Sequence, residues 1–464
     1  MFLALDGVNQ YFLSIAALFL MIFAGSWFLV HLRAFYLFHP VKTLRALPFA
    51  SGAGEMWRSL GGAVGVGNIF GVAAAVTYGG AGALFWMWAG AFFSMGIKYA
   101  EITLGMLPHA CGGRGAVGYI FDAFGRGAAL LFALLLWIES VLMGGMLQSR
   151  AVSEAAMAAL RLPPAVCGLV LCGLLVLACA GPGAEKKLAS VFVPPACGGY
   201  ILLCAFVILR HIDGLPHVLS EILRGAFTPC APLGIFGTPA LRQGIAKGIF
   251  SNEAGCGTAP TAHQGAKGTT PAVQGLFGIF EVFVDTLLLC TATGFAILLT
   301  AGERLPAYRG SAAQLTTESF GDLLGGAAPL VIFIFVFLFA AETLVAFFGY
   351  SRQMVKELSL PPAFSTVAAG LFFLLVFVGA GMRTDVLWAL SDTLLFLMLL
   401  CNTGALFCGR CRVIAAYDDQ IGKNFSRLSN SPVVSSSGRK KEIPISETEI
   451  KRGDRRLWVQ NRAK

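Results

Sequence analysis

Residues Ser59 to Trp88 read "SLGGAVGVGNIFGVAAAVTYGGAGALFWMW". The stretch is apolar enough to lie in a membrane, yet glycines crowd it and one amide, Asn68, sits in its middle. Glycine costs a helix about 1 kcal/mol against alanine, and a polar group in hydrocarbon costs more. That composition is tolerated only where backbone faces a cavity or other protein. The expectation is a membrane helix that breaks near Gly65 to Asn68.

The rest of the chain agrees with a membrane setting. Its 464 residues are 56% hydrophobic and only 13% charged, with a mean hydropathy of +0.74, far more apolar than a soluble domain requires. The apolar runs have the length of spanning helices and lack the alternation of barrel strands. The fold class is therefore an all-α polytopic membrane protein. Eleven spans are expected, near 11–31, 59–79, 82–107, 127–149, 165–181, 187–209, 244–264, 274–301, 327–350, 363–382 and 386–408. The first run lacks a basic stretch before it and reads as a span rather than a cleaved signal. The chain divides into three regions: 1–58 with one helix and a connection, a transporter core over 59–408, and a basic tail over 409–464.

Charge sets the orientation. Of the 34 Lys and Arg, 13 come after Gly409, in "GRKKE", "IKRGDRR" and beside the Ser-rich "NSPVVSSSG". This reads as a disordered cytoplasmic tail near anionic lipid rather than a nucleic-acid arm. Arg33, Lys42, Arg45, Arg114, Arg126, Lys186, Lys187, Arg352 and Lys356 fall on the same face, so the C-terminus is expected inside and the N-terminus outside. The longest outside loop, 210–243, is rich in Pro and Gly and is expected to pack against a cavity mouth. "NFS" at Asn424 is then no glycosylation site. The twelve cysteines read mostly as small core residues, and the Cys408/Cys411 pair lacks the further ligands a metal site needs.

A second span is also a poor continuous helix. "GIAKGIFSNEAGCGTAPTAH", Gly244 to His263, carries Ser251, Asn252 and Glu253, then Gly255, Gly257 and Pro260. Breaking a span aims the amides of one half at an anion and frees the carbonyls of the other for a cation, which suits a zwitterion travelling with an ion. With the first span set aside, the broken ones are first and sixth of ten, as two inverted five-helix repeats require. Close helix packing is the other use of such glycines; it accounts for Gly79, Gly80 and Gly82 but not for Asn68 or the Ser251 cluster.

"GVGNIFGVAAAVTYGGAGALFWMW", "KYAEITLG" and "GIFSNEAGCGTAPTAHQGAKGTTPAVQGLFGIFEVFVDTLLLCTATGFAILLTAG" resemble the alanine or glycine:cation symporter family over about residues 50–300. The resemblance implies a leucine-transporter-type fold and sodium-driven import of alanine or glycine across a bacterial inner membrane, with no cofactor. By position it implies that Gly65, Val66, Gly67 and Asn68 form the first break, that Gln148 of "MGGMLQS" reaches the substrate, and that Ser251, Asn252, Ala254 and Gly255 line the second. Two departures stand out. Val66 occupies the place of a threonine, and in "FLFAAETLVAFFGYSRQM" Ala340 and Ala341 align with a Ser-Thr pair expected to complete a sodium site with Gly65 and Asn68. Alanine offers a hard cation no side-chain oxygen.

Intramembrane acids are functional candidates by default: Glu139, Glu281, Asp285, Asp392 and Glu342. Asp285 fits the family pattern as a structural cap or bridge. Glu342, beside the two alanines, suggests coupling to protons, against a plainer place facing a polar cavity or pairing with a base. Sodium-independent transport and a sensor that binds without transport stay open. An enzyme does not fit, since HExxH, GxSxG and GxGD are all missing. Trp137, Phe347 and Phe348 are candidates for a gate, whereas Phe85, Trp86, Trp88, Phe92 and Phe93 suit the core or the interfacial belt.

Overall fold

The computed structural model describes residues 14–47, 49, 52–178, 184–228, 238–308, 311–358 and 361–422. The expectations placed on residues 1–13 and on the tail from 423 lie outside them, Asn424 included. Residues Lys423–Lys464 form a unit separate from Met1–Gly422, and every helix described belongs to the latter.

The described residues are helical or irregular, with no strand among them. Helix α1 spans Ser14–His31. The first broken span comes next as α2, Ala53–Ala63, and α3, Phe70–Gly79, separated by a 3-10 turn at Val66–Asn68. Then come α4, Gly82–Met106, and α5, Gly115–Val141, which runs through a π segment at Leu142–Leu147 into α6, Gln148–Leu160. Helices α7, Pro164–Ala178, α8, Ala184–Arg210, and α9, Leu215–Phe227, lead to the second broken span, α10, Pro239–Asn252, with α11, Thr258–His263. Helix α12, Pro271–Val282, joins α13, Thr291–Ala301, through a π segment at Phe283–Cys290, and α14, Ala312–Ser319, precedes the last three long helices. These are α15, Ala328–Glu357, α16, Pro362–Gly379, and α17, Thr384–Tyr417.

Five continuous helical runs are long and apolar enough to cross a membrane, and the α2/α3 pair, bent by 56°, makes a sixth. Ile15–His31, Pro164–Ala178 and Ala363–Gly379 are shorter apolar helices.

Two expectations need adjustment. The fourth span, expected from residue 127, follows directly on a break at Gly125 (φ +83°, ψ −178°), which joins it to a further helix that begins at Gly115. Within 210–243, Leu215–Phe227 is helical, and Trp86 Nε1 donates to the Ala226 carbonyl at 3.0 Å, fastening that helix to α4. Gly82 does pack closely: an added Cβ would stand 2.2 Å from the Gly225 backbone. Gly80 has open space around it, and its φ of +71° with ψ of −178° is a conformation open to glycine, so it ends α3 rather than packing.

Helix α4 is the spine of one side, with α1, α10 and α12 against it, while α15 packs on α5, α6 and α8. Small residues permit the approach, as where Gly275 of α12 meets Thr103 and Gly144 meets the Phe347 ring. In lipid no hydrophobic force drives such contacts, so close van der Waals packing and interhelical hydrogen bonds must hold them.

Candidate substrate and cation site

The first break is made by its own backbone. Val64 leaves the helix with ψ of +84° and Gly65 is extended. The Gly65 amide donates to Asn68 Oδ1 at 3.2 Å, and the Asn68 amide returns to the Gly65 carbonyl at 3.2 Å. Asn68 is thus the staple of the turn, which is why an amide stands in this apolar run. At the second break Glu253 adopts a left-handed conformation, φ +55°, followed by Gly255 at +85° and Gly257 at +77°. The Ala254 amide donates to Asn252 Oδ1 at 3.0 Å, closing that turn.

The two breaks meet. Asn68 Nδ2 lies 3.1 Å from Ser251 Oγ and 2.7 Å from Asp285 Oδ1. Ser251 Oγ and Thr286 Oγ1 donate to Asp285 Oδ2 at 2.8 and 2.9 Å. The Asn252 side chain donates to Thr286 Oγ1 at 3.2 Å, and Thr293 donates to the Asn68 carbonyl at 2.8 Å. Gln148, at the end of the π segment, accepts from the Val66 amide at 3.1 Å. Asn68, Gln148, Ser251, Asn252, Asp285, Thr286 and Thr293 are all buried. Gly65, Val66, Gly67, Asn68, Gln148, Ser251 and Asn252 therefore form one cluster. Ala254 is buried behind it, and Gly255 sits where a Cβ would meet Leu399 at 2.3 Å. The Asp285 carboxylate lies at the centre of this cluster; the π segment that aims it there has no sequence signature.

On the ninth span the hydroxyl comes from Thr343, not from the aligned Ala340 and Ala341. Thr343 Oγ1 lies 3.2 Å from the Gly61 carbonyl and 3.4 Å from that of Val64. Glu342 comes up beside Gly61: its Oε2 is 3.5 Å from where a Cβ on that residue would stand. Ala340 is buried and Ala341 half-buried. The aligned register thus falls two to three residues short of the oxygens that face the first break. Two main-chain carbonyls, a hydroxyl and a carboxylate are the donor types a hard cation prefers.

A cavity of about 450 Å³ opens the cluster on one side; it reaches Val66 and Leu147 and is walled by Arg150, Glu154, Arg383 and Trp388, among others. At its rim the Tyr308 hydroxyl donates to Glu318, which with the Gln314 amide holds that carboxyl below its usual range. Phe250 and Trp388 lie 4.3 Å apart, centroid to centroid, with the Lys247 ammonium 3.9 Å from the Trp388 ring centre and 3.1 Å from Asp392. Of these rings Trp388 lines the cavity and Phe250 lies against Gly67 of the cluster. Phe347 instead fills the space over Gly144, Phe348 packs edge-on against Phe372, and Trp137 is not among the cavity's lining residues. On the opposite side Arg58 of α2 donates to the Ala262 carbonyl at 2.6 Å and the Thr261 carbonyl at 3.3 Å, and pairs with Glu185 at 3.5 Å. Lys186 and Glu55 pair there at 2.5 Å.

Among the described residues no group of His, Cys, Asp and Glu has the arrangement of a metal site, and Cys408 and Cys411 are exposed free thiols.

Two broken helices facing each other in a polar, buried cluster, reached from one side, define a secondary transporter. The fold is that of the leucine-transporter type: the crystal structure of MhsT in complex with L-phenylalanine aligns over 81% of this chain and 94% of its own, with a TM-score of 0.61 at 15% identity. Residues 3–428 match the model of the sodium:alanine symporter family, and the chain belongs to that family. Among its relatives, the putative sodium/proton-dependent alanine carrier protein YrbD of Bacillus subtilis is 32% identical over 75% of this chain and 76% of that protein. The probable sodium/glutamine symporter GlnT of the same organism is 33% identical over 75% and 74%. The sodium/alanine symporter AgcS of Methanococcus maripaludis is 30% identical over 72% and 76%. The chain is a cation-coupled amino-acid transporter of the membrane and not an enzyme.

Proposed function

We propose that the protein imports a small neutral amino acid, alanine or glycine, with sodium, across a bacterial inner membrane. The observation that carries this reading is the meeting of the two breaks at Asn68, Ser251 and Asp285, with Gln148 on the Val66 amide. A substrate carboxylate takes over the Val66 and Gly67 amides, and Gln148 Oε1 now occupies the oxygen position such a carboxylate would fill. The ammonium lies toward Ser251 and the carbonyl ends of the breaks.

In this reading the chain crosses eleven times: α1 outside the repeats, then α2/α3, α4, α5/α6, α7 and α8 as one repeat and α10/α11, α12/α13, α15, α16 and α17 as its inverted partner. The N-terminus is outside and the C-terminus cytoplasmic, lipid surrounds the core over 59–408, and the tail over 409–464 lies by the inner leaflet. The cavity of about 450 Å³ then opens outward, and Arg58 with Glu185 closes the cytoplasmic route. The exchangeable cation sits at the Gly61 and Val64 carbonyls with Thr343 and Glu342.

Glu342 favours a second reading, in which its carboxylate carries a proton in place of sodium. Uptake of labelled alanine into proteoliposomes under a sodium gradient alone, and under a proton gradient alone, separates the two. Sodium-driven accumulation is expected. Accumulation with protons only, abolished in Glu342→Gln, moves the coupling to that carboxylate; none with either removes the transport reading. Thr343→Val is expected to raise the sodium concentration for half-maximal uptake about tenfold, the effect of one lost oxygen ligand worth about 1.4 kcal/mol. Thr343→Ser keeps the oxygen and is expected to stay near wild type.

A further inference from the structure

Each broken span leaves the carbonyl end of its first half pointing into protein, and the partial negative charge there attracts a cation. The two ends are met differently. The Gly61 and Val64 carbonyls face the Thr343 hydroxyl, and the Glu342 carboxylate lies beside Gly61. The Asn252 carbonyl, at the last residue of α10, instead accepts a hydrogen bond from Lys98 Nζ at 2.8 Å.

Lys98 comes from α4, an unbroken helix, and is 1% exposed. Its other partner is Glu281 Oε2, at 3.2 Å. Glu281 also accepts from Ser59 of α2 at 2.8 Å and contacts His263 Nε2 at 2.8 Å. That histidine is held from its far side. Gln274 Nε2 lies 3.1 Å from the Gly52 carbonyl, which fixes the amide with its NH2 on that side, and 2.8 Å from His263 Nδ1. Nδ1 thus faces an amide NH2 and Nε2 faces Glu281. The Lys98 ammonium lies at this end of α10, between the Asn252 carbonyl and Glu281.

We propose that Lys98 is a resident cation of the second break. Built into the chain, it fills the place that a transported ion would otherwise take, and leaves the first break to hold the one exchangeable cation. One cation then accompanies each amino acid. The inference rests on the cation-coupled uptake proposed above and gives its stoichiometry.

The test is the reversal potential of labelled alanine flux in proteoliposomes containing the full chain, with whichever of the sodium and proton gradients drives uptake. One cation per alanine is expected for the wild type. A ratio of two overturns the inference and leaves coupled uptake standing; no accumulation under any gradient removes both. In Lys98→Met the carbonyl end is open. Uptake at the wild-type working concentration of the cation is expected to fall at least tenfold and to recover at high concentration with a ratio of two. Lys98→Arg keeps the charge and the ratio of one. A folded Lys98→Met protein that recovers nothing at any concentration, or recovers at a ratio of one, overturns the inference. So does a Lys98→Met/Glu281→Gln double variant that restores uptake at a ratio of one, because Lys98 would then have served only to neutralise Glu281. The wild-type ratio is decisive even where the variants fail to fold.

Discussion

Replacing Gly65 with alanine is expected to reduce amino-acid uptake at least a hundredfold while the protein still inserts and folds. At φ −122° and ψ −156° the backbone is extended and open to any residue, so the substitution brings no intrinsic strain. The damage is local. The new Cβ would stand 2.7 Å from Thr343 Oγ1 and 3.1 Å from both the Nε2 and Oε1 of Gln148, inside the distances that non-bonded atoms tolerate. One of the two side chains must move, and either movement removes a group from the first break: the hydroxyl at the Gly61 and Val64 carbonyls, or the amide on Val66 N. A displacement of about 1 Å at a binding site is enough for about a hundredfold loss. Alanine binding to detergent-solubilised protein, read beside its melting temperature, checks this: binding should vanish with the melting temperature shifted by only a few degrees. Gly67→Ala serves as a milder companion, because its Cβ would meet the Phe250 ring edge at 3.1 Å, and a ring gives way more easily than a hydrogen-bonded pair.

Asn68→Ala is expected to remove both uptake and much of the stability. Its amide nitrogen serves Asp285 Oδ1, the Asp285 carbonyl and Ser251, while its oxygen accepts from the Gly65 amide. Truncation leaves Asp285 with a buried, unpaired oxygen and removes the bond that closes the turn, while the Gly65 amide keeps its 2.8 Å bond to the Ala63 carbonyl. The unpaired oxygen costs about 1–3 kcal/mol, more where a charge is involved, and the lost turn bond about 1 kcal/mol, so a loss of roughly 3 kcal/mol is expected, large against the roughly 5–15 kcal/mol typical of a domain. The measurement is thermal unfolding together with uptake. If the role of Asn68 is to pair Asp285, the double variant Asn68→Ala/Asp285→Ala regains stability over the single one without regaining uptake. A double variant as unstable as Asn68→Ala alone would assign the loss to the Gly65 turn instead.

Much of this architecture was legible in the residues. Long apolar runs, two of them spoiled by glycines and polar groups, placed both broken helices, because hydrocarbon permits a helix interruption only where other protein or a cavity satisfies the backbone. Asn68, Gln148, Ser251 and Asn252 were identified from the same logic and from the family pattern, and they converge. Thr343, Trp388, Lys247 and Lys98 were not. Thr343 escaped because an alignment through a poorly matching helix was two or three residues out, and at about 100° per residue that error carries a side chain to another face. Trp388 escaped because rings are common in every span; only the crossing of α10 and α17 puts it over Phe250.

The chain's composition, through the cost of exposing backbone and charge to hydrocarbon, was sufficient to dictate helices, their rough limits and the two places where they fail. Those are local properties, and each is written in about twenty consecutive residues. The pairing of Asp285 with Asn68, of Lys98 with the Asn252 carbonyl, and of Arg58 with the carbonyls of Thr261 and Ala262 joins residues 154 to 217 positions apart. Such partners are chosen by helix rotation, by two π segments that advance the register, and by glycines that let backbones approach. No run of sequence encodes these three effects by itself, so which acid holds the site and which base serves the second break emerged only once the helices were packed.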